Sequence, residues 1–154
     1  MLDKKNNLVR KAKPEDSKRI WEIRNHPEIR KLSNNPREFS FAEHDPRFEK
    51  KYFSNQKHYC FILENEDARV VGYCRIDFDS DNDNYIISIA LDPEHHGKGL
   101  GTKLLSAAVE MFPAEKEILA EIHKENIISV KLFKKVGFVY FNEDEKNYYY
   151  KLKK

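Results

Sequence analysis

Apolar positions along the chain switch between a period of two and a period near 3.6, and the switches fall at polar or proline-bearing breaks. The spacing predicts a strand over Leu8 to Lys13, then a helix starting near Pro14 that buries Ile20 and Trp21, with Ile23 beside them. Asn25-His26-Pro27 breaks that helix, and a short helical turn runs on toward Leu32. Ser33 to Ser40 holds Asn34, Asn35 and Pro36 and reads as a loop, and Phe41 to Phe53 reads as a helix. His58 to Glu64 and Arg69 to Phe78 are the strands of a predicted hairpin around Asn65 to Ala68. Asp79 to Asn84 is a polar turn before a strand over Tyr85 to Leu91. Leu100, Leu104, Leu105, Ala108, Met111 and Phe112 recur at helical spacing, and Pro113 ends the run. A strand over Lys116 to Ile122 follows. In the next helix Asn126 is a natural N-cap and Gly137 a natural stop, with Phe138 able to fold back on the last turn. Alternation at Phe138 to Phe141 and at Tyr148 to Leu152 predicts two last strands, and Tyr148-Tyr149-Tyr150 reads as edge-strand packing. No repeat, low-complexity segment or linker interrupts the pattern, so a single α/β domain is expected over residues 1–154.

The most informative stretch runs from Ile89 to Thr102, where an apolar strand enters a turn, then Gly97, Gly99 and Gly101, then a helix. Glycines lack the β-carbons that keep a backbone away from a ligand. The first amides of a helix have no partner inside it, which makes such a turn a site for phosphate or diphosphate. From spacing alone, a flexible turn before an ordinary helix fits equally well. A Walker A loop is excluded, because no glycine is followed, after four intervening residues, by Gly-Lys and a hydroxyl residue. The dinucleotide fingerprint fits poorly, since the third glycine comes one residue early and the loop lies deep in the chain.

Composition narrows the partners. Charged residues make up 35% of the 154, and the mean hydropathy is −0.80, so a strongly solvated surface is expected. A formal net charge of only +2 gives little support for nucleic-acid binding. No apolar run is long enough to span a bilayer, and Met1-Leu2-Asp3-Lys4-Lys5 lacks the apolar core of a signal peptide, which predicts a cytoplasmic location. Cys60 and Cys74 lie on predicted strands without a C-x-x-C pair and read as reduced core thiols, a disulfide being the lesser alternative. The adjacent His95 and His96 have no third ligand at a recognisable spacing, so no metal is expected.

Two motifs together make the chain resemble the GCN5-related N-acetyltransferases. Their diphosphate loop reads Gln or Arg, two residues, Gly, one residue, then Gly or Ala, which falls here on His96-Gly97-Lys98-Gly99-Leu100-Gly101. Their second motif is an Asn, a small residue three on, an aromatic seven on and a Gly-Phe pair, here Asn126, Ser129, Phe133 and Gly137-Phe138. The resemblance covers essentially the whole chain. It implies a mixed, mostly antiparallel sheet flanked by helices, with acetyl-CoA held by Ile89, Ala90, Leu91, His96 to Thr102, Asn126, Ser129 and Phe133. It also implies a bulge on the strand at Ile89 to Leu91, splaying it from its neighbour to admit the pantetheine arm. Two departures stand out. His96 replaces the family's Gln or Arg, with Lys98 a substitute source of charge. Phe133 replaces a Tyr whose hydroxyl often protonates the departing thiolate.

Direct acetylation of an amine needs a neutral amine, a polarised carbonyl and a stabilised thiolate. Main-chain N–H groups at Ile89 to Leu91 can polarise the carbonyl. Asp77, His44 and, through water, Ser88 are the candidate bases, and Ser129 offers a hydroxyl where the tyrosine is missing. Alternation places Arg75 and Asp77 on one face of their strand, where a structural ion pair is an equal reading. Lys131 and Lys134 either meet the cofactor's phosphates or face water. Trp21 to Arg30, then Ser33, His44 and Phe48, resemble the branch that acetylates nucleotide-linked amino sugars, as in the pseudaminic acid pathway, although Arg47 stands where that branch has an aromatic. That branch implies a small-molecule amine held by Arg24, Asn25, Arg30, His44 and Arg75, the arginines suiting a diphosphate. The alternatives are acetylation of a protein N-terminus or lysine, and an acyl-CoA-binding module without catalysis. A monomer and a homodimer are both open.

Overall fold

The computed structural model describes residues 7–54 and 57–153, so the N-terminal residues 1–5 that were read for a signal segment lie outside it. The elements follow the predicted order. They are β1 (Leu8–Lys11), a 3-10 turn (Pro14–Asp16), α1 (Ser17–Asn25), α2 (Pro27–Arg30), α3 (Phe41–Phe53), β2 (Tyr59–Glu64), β3 (Val70–Asp79) and β4 (Asn84–Leu91). After a second 3-10 turn (Pro93–His95) come α4 (Leu100–Met111), β5 (Glu117–His123), α5 (Ile127–Val136), β6 (Val139–Glu143) and β7 (Asn147–Lys153). Among the described residues the strands form one seven-stranded sheet in the order β1-β2-β3-β4-β5-β7-β6. Every pairing is antiparallel except β4 with β5. No helix of the described residues is long and apolar enough to cross a membrane.

Each face of the sheet carries its own core. On one, Phe61, Leu63, Val71, Cys74 and Ile76 pack with Leu104, Leu105 and Ala108 of α4 and Phe133 of α5. On the other, Ile62, Tyr73 and Ala90 pack with Ile20 and Ile23 of α1 and Phe48 of α3. Alternation along β3 therefore sends Tyr73, Arg75 and Asp77 toward α1 and α3, and Cys74 and Ile76 toward α4. Both cysteines are free and buried, and burial raises both thiols above their usual range, so they stay protonated and inert.

The capping signals hold. Asn126 Oδ1 accepts from the Ser129 N–H at 3.1 Å and starts α5. Gly137, at φ 109°, stops it, with the Phe138 N–H reaching the Phe133 carbonyl at 3.0 Å and the two rings 5.0 Å apart edge to face. Two expectations change. The Tyr148-Tyr149-Tyr150 run lies on β7, between β5 and β6, and is not at an edge. The edge is β6, where Val139 is 63% exposed. Trp21 is only half-buried, because its indole Nε1–H turns to the Phe39 carbonyl at 2.7 Å instead of entering the core.

Candidate active site

The site opens where β4 and β5 part. Their parallel ladder joins Tyr85 to Ile118, Ile86 to Leu119 and Ile87 to Ala120, and goes no further. β4 remains paired to β3 up to Leu91, and β5 to β7 up to His123. Each strand follows its other neighbour, and the accumulated twist separates them. The expected bulge is not what parts them, since the β3–β4 register runs without a shift from Gly72 opposite Leu91 to Asp79 opposite Asn84. Ser88, Ile89, Ala90 and Leu91 on one strand, and Glu121, Ile122 and His123 on the other, line the resulting gap.

At the head of the gap stands the glycine loop. Gly97 and Gly99 have φ of 78° and 75°, a left-handed conformation that side chains disfavour, and nothing lies within 4 Å of where a Cβ would stand. Gly101 has a different purpose. A Cβ there would lie 3.3 Å from Leu132 and 3.5 Å from Leu91, so its absence lets α4 lie close to α5 and β4. Gly99 caps α4 without a side-chain bond, and among the described residues no protein group accepts from the amides of Gly97 to Thr102. The cradle is therefore free for an anion. The His96 Nε2–H turns inward to the Leu91 carbonyl at 3.0 Å. Lys98 does not line the cleft, nor does Lys134, whereas Lys131 and Lys135 of α5 do. Asn126, Ser129 and Phe133 line it.

The cleft has two joined lobes. The larger, of about 840 Å³, runs from the glycine loop along the gap. The smaller, of about 250 Å³, lies under residues 33–39 on the α1 side of the sheet. Tyr73, Arg75, Ser88 and Glu121 border both. In the smaller lobe Asp77 accepts from Tyr52 Oη at 2.8 Å and from Lys51 Nζ at 3.0 Å, while Arg75 is 3.9 Å away. Both Asp77 oxygens are thus engaged by α3. Arg24 and Arg37 lie on the Phe39 ring at 4.0 and 3.8 Å. Burial first, then the Arg75 charge, lowers Arg24 below the usual arginine range. For Arg75, burial opposes the charge, but Tyr52, Tyr73 and Asp77 outweigh it and the net shift is upward.

Three expected site residues lie elsewhere. Asn25 pairs its carboxamide with the Phe39 peptide group, Nδ2 donating to the carbonyl at 2.7 Å and Oδ1 accepting from the N–H at 2.9 Å. Arg30 donates to the Asn25 carbonyl at 3.0 Å and the Pro36 carbonyl at 3.4 Å. Both therefore hold the loop that roofs the smaller lobe and do not enter it. His44 is buried between the Phe41 and Phe48 rings, its Nε2 without a partner, outside both lobes. Burial, then the Arg24 charge, lowers it to about 4. Glu121 was missed. It stands one residue past the last β4–β5 pair, and its Oε1 accepts from Asn147 Nδ2 at 3.1 Å and Tyr149 Oη at 3.5 Å. A charged residue interrupting the apolar strand Ile118 to Ile122 was the available signal.

The acetyltransferase (GNAT) family model matches residues 18–138. A GNAT phosphinothricin acetyltransferase from Sinorhizobium meliloti in complex with acetyl-CoA is similar in fold, with TM-score 0.82 and 22% identity over 96% of this chain and 88% of that one. Spermidine N-acetyltransferase from Vibrio cholerae, in complex with CoA and spermine, gives 0.79 and 20% over 96% and 95%. The yncA protein of Salmonella typhimurium with its cofactor acetyl-CoA gives 0.78 and 23% over 96% and 94%. No curated protein matches the sequence significantly.

Proposed function

The chain belongs to the acetyltransferase (GNAT) family, whose donor is acetyl-CoA, and we propose that it acetylates a primary amine of a small molecule by direct attack. The observation that carries this reading is the parting of β4 and β5 beside a glycine loop with uncommitted amides. When bound, acetyl-CoA supplies an acetyl group on a good thiolate leaving group. Amides of Gly97 to Thr102, with Lys131 and Lys135, are suited to its diphosphate. The main-chain N–H groups of β4 between Ser88 and Leu91 that point away from β3, toward the gap, are suited to polarise the acetyl carbonyl.

Glu121 is the carboxylate best placed to take the proton of an incoming ammonium, because it borders both lobes and has no cation partner among the described residues. Ser88, on the other wall, can pass that proton through a water. Asp77 is committed to Lys51 and Tyr52, and His44 is remote. Ser129, one turn before Phe133, offers the departing thiolate the hydroxyl that Phe133 lacks. The roofed lobe of about 250 Å³ favours a small acceptor over a protein. The likeness of residues 21–48 to the amino-sugar branch makes a nucleotide-linked amino sugar the first acceptor to assay.

The test is release of free thiol from acetyl-CoA across a panel of amino sugars, other small amines and peptides. Turnover with small amines supports the proposal. Turnover confined to peptides would move the acceptor to a protein, and tight acetyl-CoA binding with no turnover would make the protein a non-catalytic binding module.

A further inference from the structure

Charges around the smaller lobe do not cancel locally, and the pattern of imbalance describes what fits there. Arg37 is matched by Glu43, with Nη2 2.9 Å from Oε2. Asp77 is matched by Lys51 and Tyr52. That leaves Arg24, Arg75 and Glu121. Arg24 has no hydrogen bond or ion pair to protein among the described residues, only the face of Phe39. Arg75 has a buried Nε with no partner, and its nearest carboxylate is the already committed Asp77 at 3.9 Å. Glu121 has two neutral donors and no cation. Two guanidiniums thus face one region of the lobe, and one carboxylate borders its junction with the larger lobe.

We infer that the acceptor is an amine that also bears an acidic group, carboxylate or phosphate, with Arg24 and Arg75 gripping the acid and the amine directed to Glu121. Crowding two partly buried like charges is unfavourable until an anion joins them, and planar guanidiniums match the paired oxygens of carboxylate and phosphate. Burial first, and then the Arg75 charge, lowers Arg24, so the second of these is the same repulsion felt at Arg24. A polyamine, with positive charge at both ends, meets repulsion here. The inference rests on the smaller lobe being the acceptor site, as proposed above.

The first test is calorimetric titration of sulfate and of inorganic phosphate into protein saturated with CoA, so that the glycine loop is filled. One anion site is expected, weakened about 10- to 100-fold in both Arg24→Gln and Arg75→Gln, with thermal melting used to show that each variant folds. The second arm compares matched acceptors for thiol release: β-alanine against β-alaninamide for the carboxylate, glucosamine 6-phosphate against glucosamine for the phosphate. The acid-bearing member of at least one pair should have the higher kcat/KM, and that advantage should vanish in Arg24→Gln. Absence of the anion site, an anion site indifferent to both substitutions, or equal turnover within both pairs overturns the inference. Failure of the protein to bind acetyl-CoA at all is a different result and overturns the acetyltransferase reading instead.

Discussion

Replacing Asn25 with Ala tests whether a residue remote from the chemistry shapes the acceptor lobe. The Phe39 peptide group is 4% exposed as a residue and meets Asn25 on both sides, at 2.7 and 2.9 Å. Its carbonyl keeps a second donor in Trp21, but among the described residues its N–H has no other acceptor. The substitution therefore removes one hydrogen bond worth about 1 kcal/mol and orphans a buried N–H at about 1–3 kcal/mol more, for a total of about 2–4 kcal/mol. Asn25→Asp keeps the acceptor for the N–H but sets a carboxylate oxygen against the Phe39 carbonyl, so it should not rescue. The loss falls on the loop that brings Ser33, Asn34, Asn35, Arg37 and Phe39 to the lobe. If the loop is then ordered about a tenth of the time, the amine KM rises about tenfold. Acetyl-CoA binding at the proposed glycine-loop site should change far less, because only Ser33 and Asn34 of that loop also border the larger lobe. Urea denaturation, steady-state kinetics with the best amine of the panel and calorimetry with acetyl-CoA read the three quantities. The reasoning fails if stability and amine KM stay at wild-type values, or if acetyl-CoA affinity falls in step with KM.

Other expectations are equally specific. Gly99→Ala places a side chain at φ 75° in open space, so conformational strain alone should cost about 1–2 kcal/mol; calorimetry should show weaker acetyl-CoA binding, and unaltered melting and binding would mean the left-handed turn is not required. Glu121→Gln should lower kcat/KM about 100-fold or more while leaving acetyl-CoA binding intact, and a variant retaining near-full rates would assign the base elsewhere. His44 is held down to about 4 from 6.5, so the fold accommodates its neutral form. The unfolded chain binds that proton first as pH falls below 6.5, so stability present above 6.5 is lost progressively toward pH 4, by at most about 3 kcal/mol. Denaturation of wild type and His44→Phe at pH 7 and pH 4.5 should show a smaller decline in the variant; parallel declines would refute the assignment.

Local interactions made much of the protein readable from its sequence. Helix and strand periods, the Asn126 cap, the Gly137 stop and the glycine turn before α4 each depend on residues within a turn or two of one another, and each is found in place. The two motifs that carry the family resemblance were visible for the same reason, since a loop of uncommitted amides is assembled from consecutive backbone. Tertiary structure decided the rest. Asn25 and Phe39 are 14 residues apart, and only the return of the chain onto α1 turns a candidate ligand into a loop anchor. Glu121 becomes a candidate base because β5 follows β7 while β4 follows β3, leaving a gap that no local pattern records. The pairing of Asp77 with Lys51 and Tyr52 leaves Arg75 without a close partner, and it joins two elements, α3 and β3, that are distant in sequence. Charge balance in a cleft is a sum over everything packed around it, so residue types alone determine what chemistry is available, and the packing determines which of those charges a substrate meets.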